Sequence, residues 1–298
     1  MKHFSAHSDT LDNISYSLVK ETFETGKEFS QKEVAELTQL PLKIVCRLIE
    51  QMTAAGEIQK KGLNKFIINR NHSFFLCVKV GAEKVDCIVF DSTYSVAAKT
   101  SREKPESDLL NLLVEIVDDI RAEHNLACIA IGIQASVKDG IVYNAGGNKL
   151  NLKAQLEQKY SVPVFIEKEI NLVCFGNISE KQIQFLDDEY SVCLNISETG
   201  IHCGLIYKTE VLTGFQGRAG EIGLADISGK NPLSEALKFI NAVFSPKTVI
   251  VYNAPENTEP QTKPESGSAQ NIVFTSDYEA KCEKGFVYLI KKRTSIFC

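Results

Sequence analysis

The sequence predicts an α/β protein in two parts, a small helical domain closed by a basic hairpin and a larger body in which one structural unit occurs twice. Three observations predict it. Well-capped helices lead into a Lys-rich, strand-like run near residue 60, apolar β-branched strands take over at Phe74, and from Tyr190 the same succession of meander and crossover begins again. The expected boundaries are 1–72 for the small domain and 73–298 for the body, with halves of about 73–178 and 179–298.

In the small domain, Ile14, Leu18, Val19 and Phe23 form an apolar helical stripe from about Asn13 to Glu24. The next helix starts at FSQKEVAEL, where Ser30 and Glu33 have the spacing of a capping box and Phe29 and Val34 that of a hydrophobic staple. The linker TQLP is short. In LKIVCRLIEQM, Val45, Leu48, Ile49 and Met52 recur at helical spacing, leaving Lys43, Arg47 and Glu50 on the opposite face with Cys46, and Gly56 supplies the stop. Two strand-like runs around Gly62 follow, carrying Lys60, Lys61 and Lys65, with Arg70 expected to join them.

That order is a winged helix-turn-helix. Its third helix has a polar face suited to a major groove, and its hairpin lysines suit backbone phosphate. Lys43 and Arg47 are the candidate operator contacts, with Lys60, Lys61 and Lys65 on the phosphates. A helical protein-interaction domain is the competing reading. Charge distribution favours the first. The chain has a net charge of −5, but residues 1–72 hold ten Lys and Arg against nine Asp and Glu, so the deficit lies in the body.

The body opens with FFLCVKVG, KVDCIVFD and SVAAKTS, a meander with a turn at Gly81–Glu83. A helix from about Glu106 to His124, with Leu109, Leu110, Leu113, Ile116, Val117 and Ile120 as its apolar positions, then leads to the strand ACIAIGI. The helix LKAQLEQKY, the strand VPVFIEKE and the helix INLVCFGN complete the first half. In the second half, YSVCLNIS, GIHCGLIY and TEVL repeat the meander, followed by a helix around PLSEALKFINAV and the strand TVIVY. Residues 254–270 are polar and Pro/Ser-rich and read as a surface loop, and NIVFTSDYEAKCEKGFVYLIKK returns a strand and a helix. Duplicated halves commonly enclose a ligand cleft.

Nine scattered cysteines without a CxxC pair argue against a disulfide framework or a structural zinc site. No apolar run approaches the ~18 residues of a membrane span, and MKHFSAHSDT lacks the apolar core of a secretory signal. A cytoplasmic protein is expected.

Several segments resemble the ROK family of bacterial repressors and sugar kinases. TQLPLKIVCRLIEQMTAAGEI is similar to T-G-L-S-x-x-T-V-S-R-L-V-x-x-L-x-x-x-G-L-I of bacterial regulators, with Gln39 for the turn glycine and Pro41 for the capping serine. VPVFIEKEINLVCFGN resembles L-P-V-x-V-E-N-D-A-N-x-A-A-x-G-E, and GFQGRAGEIGL resembles G-x-x-G-x-A-G-E-I-G-H, with weaker likeness at IGIQASVKDGIVYNAGG and GIHCG. The resemblance implies a duplicated actin/hexokinase-like (ribonuclease H-like) fold behind the helix-turn-helix, with a shortened second half.

The resemblance also implies which residues would work. The family's kinases open with D-x-G-G-T-K, where this chain has KVGAEK: Lys79 stands for the Asp, Ala82 for a glycine and Glu83 for the Thr. A carboxylate at a phosphate loop repels ATP, and loss of the Asp removes a Mg²⁺ anchor, so no ATP use and no cofactor are expected. Glu169 takes the family's catalytic-base position; it reads either as that base with a longer side chain or as a solvated carboxylate. Leu224 stands at the family's zinc-binding His and the Cys cluster is missing, so no metal is expected. Asn144, Lys168, Glu169 and Glu221 match sugar-pocket positions. Lys168 reads either as a contact to a sugar phosphate or as a solvent-facing lysine. The resulting expectation is a homodimeric or larger repressor that binds a double-stranded operator and responds to a sugar or sugar phosphate. An ATP-dependent sugar kinase is the alternative.

Overall fold

The fold is given by a computed structural model that describes residues 3–104, 108–143, 149–180, 189–197, 200–222, 232–254 and 271–294, with side chains from residue 12 onward. By residue contacts it divides into two compact units, Met1–Val78 with Asp86–Ile129 and Lys291–Cys298, and Lys79–Val85 with Ala130–Ile290.

The first unit begins with three helices, α1 (His3–Glu24), α2 (Gln31–Thr38) and α3 (Leu42–Ala54), and a hairpin of β1 (Ile58–Lys61) and β2 (Lys65–Ile68). Its core is Val19, Phe23, Val34, Val45, Leu48, Ile49, Met52, Ile58 and Ile68. The capping box forms in both directions: the Glu33 amide donates to Ser30 Oγ at 3.3 Å and the Ser30 amide to Glu33 Oε2 at 2.6 Å. Phe29 packs edge-on against Phe23 at 5.9 Å. Phe29 also exchanges backbone hydrogen bonds with Phe66, at 2.9 and 2.8 Å, which fixes the hairpin to the entry of α2. At the helix-turn-helix corner, Gln39 takes the left-handed conformation (φ 59°) where the resemblance has glycine, and Pro41 starts α3 with no side-chain cap.

Three expectations for this domain need correction. Helix α1 starts well before Asn13, because nothing between His3 and Asn13 breaks a helix. Only Val19 and Phe23 of the stripe are buried; Ile14 and Leu18 are 54% and 39% exposed. Leu18 and Val19 are adjacent, and neighbours on a helix point about 100° apart, so the stripe merges two faces of which one meets the core. Arg70 also lies beyond the hairpin, with its guanidinium 3.8 Å from Asp91 rather than beside the hairpin lysines.

The body continues with β3 (Phe74–Val80), β4 (Lys84–Phe90), β5 (Val96–Glu103), α4 (Leu109–Glu123) and β6 (Leu126–Ile133). Next come the short strands β7 (Ser136–Lys138), β8 (Ile141–Tyr143) and β9 (Lys149–Leu150), then α5 (Leu152–Tyr160), β10 (Val164–Lys168) and α6 (Glu169–Ser179). The second half holds β11 (Tyr190–Ser197), β12 (Gly200–Tyr207), β13 (Glu210–Leu212), α7 (Pro232–Phe244), β14 (Thr248–Tyr252), β15 (Asn271–Thr275) and α8 (Tyr278–Thr294). Helix α4 is capped by the side chain of Asp108, which precedes it, and it buries Leu112, Leu113, Ile116 and Val117; Leu109, Leu110 and Ile120 are half-buried.

The duplication is visible in the sheets. One has the order β10-β6-β3-β4-β5, the other β15-β14-β11-β12-β13. In both, the first strand lies at the centre with the meander on one side and the two crossover strands on the other, as in actin/hexokinase-like folds. In the second sheet the meander pairs are antiparallel and β11-β14 and β14-β15 are parallel. Helix α7 covers one face through Leu233, Ala236, Leu237 and Ile240, packed on Val192, Leu194, Leu205, Val249 and Val251. Cys193 and Cys203 are fully buried in β11 and β12, as expected of packing residues. The polar segment 255–270 lies outside the described residues.

Two glycines let α6 and α8 cross closely. A Cβ on Gly176 would fall on the carbonyl of Lys281, and one on Gly285 on the carbonyl of Leu172.

Candidate functional site

The motif residues of the second unit converge at the start of α6. Strand β10 is buried along its whole length, so the strand-to-helix junction lies inside the protein, with Glu167, Lys168 and Glu169 only 9%, 5% and 3% exposed. This overturns the reading of Glu169 as a solvated carboxylate and of Lys168 as a solvent-facing lysine. The cause is the burial of both strand faces, which the local sequence shows only as a short apolar run.

Lys168 is ion-paired with Glu221, and Ser136 donates a hydrogen bond to the same carboxylate at 3.4 Å. The glycines of GFQGRAGEIG make this meeting possible. Gly217 and Gly220 have φ of 74° and 77°, and a Cβ on either would strike a carbonyl, that of Val137 in β7 or Cys203 in β12. Only a chain without side chains at those points brings Glu221 down to Lys168. His202 of β12 also lies near the pair; burial, then the positive charge of Lys168, holds its imidazole below the usual pKa.

Glu169 receives hydrogen bonds from Gln134 and Tyr278, while its Oε2 has no hydrogen-bond partner among the described residues. Burial pushes its carboxyl above the ordinary range, and the nearby Lys79 charge and the two hydrogen bonds oppose this only in part. Lys79 is paired with Glu279. Burial works against its ammonium, but the hydrogen bond to Glu279 and the charges of Glu279 and Glu169 raise its pKa overall. Chemically, Glu169 Oε2 is an unsatisfied acceptor among the described residues, and the adjacent Lys168 with Glu221 forms a pair able to donate to and accept from a hydroxyl.

Lys168, Glu169 and Glu221 thus gather in one unit. Asn144 and Leu224 lie outside the described residues. Among the described residues, no three His, Cys, Asp or Glu side chains are grouped to hold a metal, and no helix is long and apolar enough to cross a membrane. Sequence reasoning missed Gln134, Ser136, His202, Tyr278 and Glu279. One signal was available: a lysine inside the apolar strand FFLCVKVG needs a partner when buried.

In the first unit, Lys43, Arg47 and Glu50 are exposed on α3, with Cys46 half-buried between them. Lys60 and Lys61 of β1 and Lys65 of β2 are exposed too, with Lys61 directly opposite Lys65 across the hairpin. Like charges in register repel, so this pair disfavours the hairpin while suiting it to an anion. Arg47 is ion-paired within this unit: its Nη2 donates to Asp12 Oδ1 of α1 at 2.9 Å.

Residues 75–235, more than half of the chain, match the profile of the ROK family. The chain belongs to the ROK family. Among curated proteins, this ROK chain is similar to the "Xylose repressor" of Bacillus subtilis (strain 168), 23% identical over 243 residues that cover 74% of the chain and 62% of that protein. A "Xylose repressor" of Caldicellulosiruptor bescii is 23% identical over 246 residues, covering 73% of the chain and 60% of that protein. The chain therefore spans less than two thirds of the length of these relatives. Among solved structures, a ROK family transcriptional regulator described as a homologue of E. coli Mlc superposes with a TM-score of 0.67 at 15% identity, covering 96% of this chain and 97% of that one. A ROK hexokinase from Thermus thermophilus superposes with a TM-score of 0.55 at 16% identity, covering 74% of this chain and 99% of that one. These likenesses fix the fold, and they include a regulator and a sugar kinase.

Proposed function

We propose that this ROK chain is a DNA-binding transcription repressor whose kinase-like body responds to a sugar rather than phosphorylating it. The observation that carries the reading is the exposed basic surface of residues 1–72, with Lys43 and Arg47 on α3 and Lys60, Lys61 and Lys65 on the hairpin. The names of the curated relatives support it. Residues 1–72 form the reader and 73–298 the sensor. The protein acts in the cytoplasm as a homodimer or larger oligomer, because paired recognition helices read adjacent turns of a palindromic operator.

The effector site is the buried cluster at the start of α6; Asn144, assigned by the family resemblance alone, is a further candidate contact. Lys168 is already neutralised by Glu221, which removes the reason to favour a sugar phosphate. A neutral sugar fits better: one hydroxyl can accept from Lys168 and donate to Glu221, and another can donate to Glu169 Oε2. A thermal-shift series with xylose, glucose and their phosphates tests this, since a ligand of the native state raises apparent stability. Stabilisation by a plain sugar, lost in Glu169→Gln, is the expected result. No shift with any sugar, or a shift with phosphates alone, contradicts it.

Sugar kinase is the second reading. Against it stands the Lys79–Glu279 pair at the position of the family's Mg²⁺-binding Asp. Phosphate transfer from ATP to a sugar, abolished by Glu169→Ala, would establish it instead.

A further inference from the structure

The contact between Arg47 and Asp12 joins α3 to α1 across 35 positions of sequence. Both side chains are half or more exposed, at 50% and 58%. Water and salt compete for such a pair, so it contributes little to folding. Its consequence is geometric. An arginine on a long flexible stem samples many rotamers, whereas one whose Nη2 is held by a carboxylate presents its remaining N–H groups in a restricted plane. Arg47 lies one helical turn after Lys43 on the same exposed face, within the N-terminal half of α3, the part of a recognition helix that meets base edges. Guanine offers O6 and N7 side by side in the major groove, and a pre-oriented guanidinium meets both with less ordering on binding.

The carboxylate also acts in the opposite sense where no guanine is present. It withdraws part of the Arg47 charge from the phosphates and adds a negative charge close to them, weakening attachment to any duplex that does not satisfy the guanidinium.

On the reading that α3 contacts DNA, we propose that Asp12 is a positioning residue that sets sequence specificity. It orients Arg47 toward one guanine in each half-site and lowers affinity for duplexes that lack it.

The test uses the full chain. Duplexes bound by the wild type are selected from a random pool, and each guanine of the selected site is then replaced in turn. Binding is measured at one salt concentration for the wild type, Arg47→Ala, Asp12→Ala and Asp12→Glu. Arg47→Ala should abolish the preference at one position. Asp12→Ala should cut the preference at that same position by about fivefold or more while affinity for duplexes lacking the guanine holds or rises. Asp12→Glu should restore part of it, and the urea midpoint of Asp12→Ala should match the wild type. Full preference at that position in Asp12→Ala, or equal weakening on every duplex, overturns the role of Asp12 alone. A wild type that binds no duplex overturns both this inference and the DNA-binding reading.

Discussion

Lys79 and Glu279, 200 residues apart in sequence, meet in an ion pair between β3 and the first turn of α8. The pair is asymmetric, with 16% of the Lys79 side chain exposed against 66% of that of Glu279. Removing the exposed partner takes from the half-buried ammonium its hydrogen-bonding carboxylate and leaves it beside the charge of Glu169, whereas removing Lys79 leaves a carboxylate that water can solvate. Glu279→Ala should therefore cost more than Lys79→Met: about 1–3 kcal/mol against about 1 kcal/mol or less. Urea unfolding of the two variants at neutral pH checks the order.

Burial raises the Glu169 carboxyl above its unfolded value, so the folded state favours the protonated form. That contribution is complete below the ordinary carboxylate range and is lost as pH rises through the folded value. Glu169→Gln, which stays neutral, should match the wild type near about pH 4 and gain on it by about pH 8. Urea midpoints of both proteins across that range measure the difference. A constant difference contradicts the buried, raised carboxyl.

The α6–α8 crossing leaves no room at its two glycines. Gly176→Ala and Gly285→Ala should each destabilise the protein by about 1–3 kcal/mol, because the obstacles are carbonyls of the opposing helix and not yielding side-chain ends. Thermal melts of each variant test this.

Lys61 and Lys65 face each other across the hairpin. Lys61→Ala should relieve their repulsion, leaving folding stability unchanged or slightly higher, while weakening attachment to all duplexes alike. The slope of log affinity against log salt should shrink by about one unit.

Much of the fold was legible because local signals agreed with it. Ser30 and Glu33 announce α2 with a reciprocal cap that needs no tertiary context, and Val45, Leu48, Ile49 and Met52 mark the buried face of α3 by spacing alone. The repeat of meander and crossover gave the duplication. The site was less legible. Whether Lys168 and Glu169 meet water depends on what covers β10, and that cover comes from residues remote in sequence. Tyr278 and Glu279 sit in SDYEAK, an unremarkable polar helix start, until the fold brings them to Glu169 and Lys79. The exposed Ile14 and Leu18 were misread for a related reason: spacing shows that a helix has an apolar face but not where the small core ends.

Whether residues 1–72 read double-stranded DNA is decided by equilibrium binding of the full chain to a selected duplex over a salt series. Tight binding is expected at about 50 mM salt, with log affinity falling linearly as log salt rises. Arg47→Ala should lose sequence preference while keeping that salt dependence. Absence of binding to any duplex at low salt, or sequence preference unaltered in Arg47→Ala and Lys43→Ala, would contradict that reading.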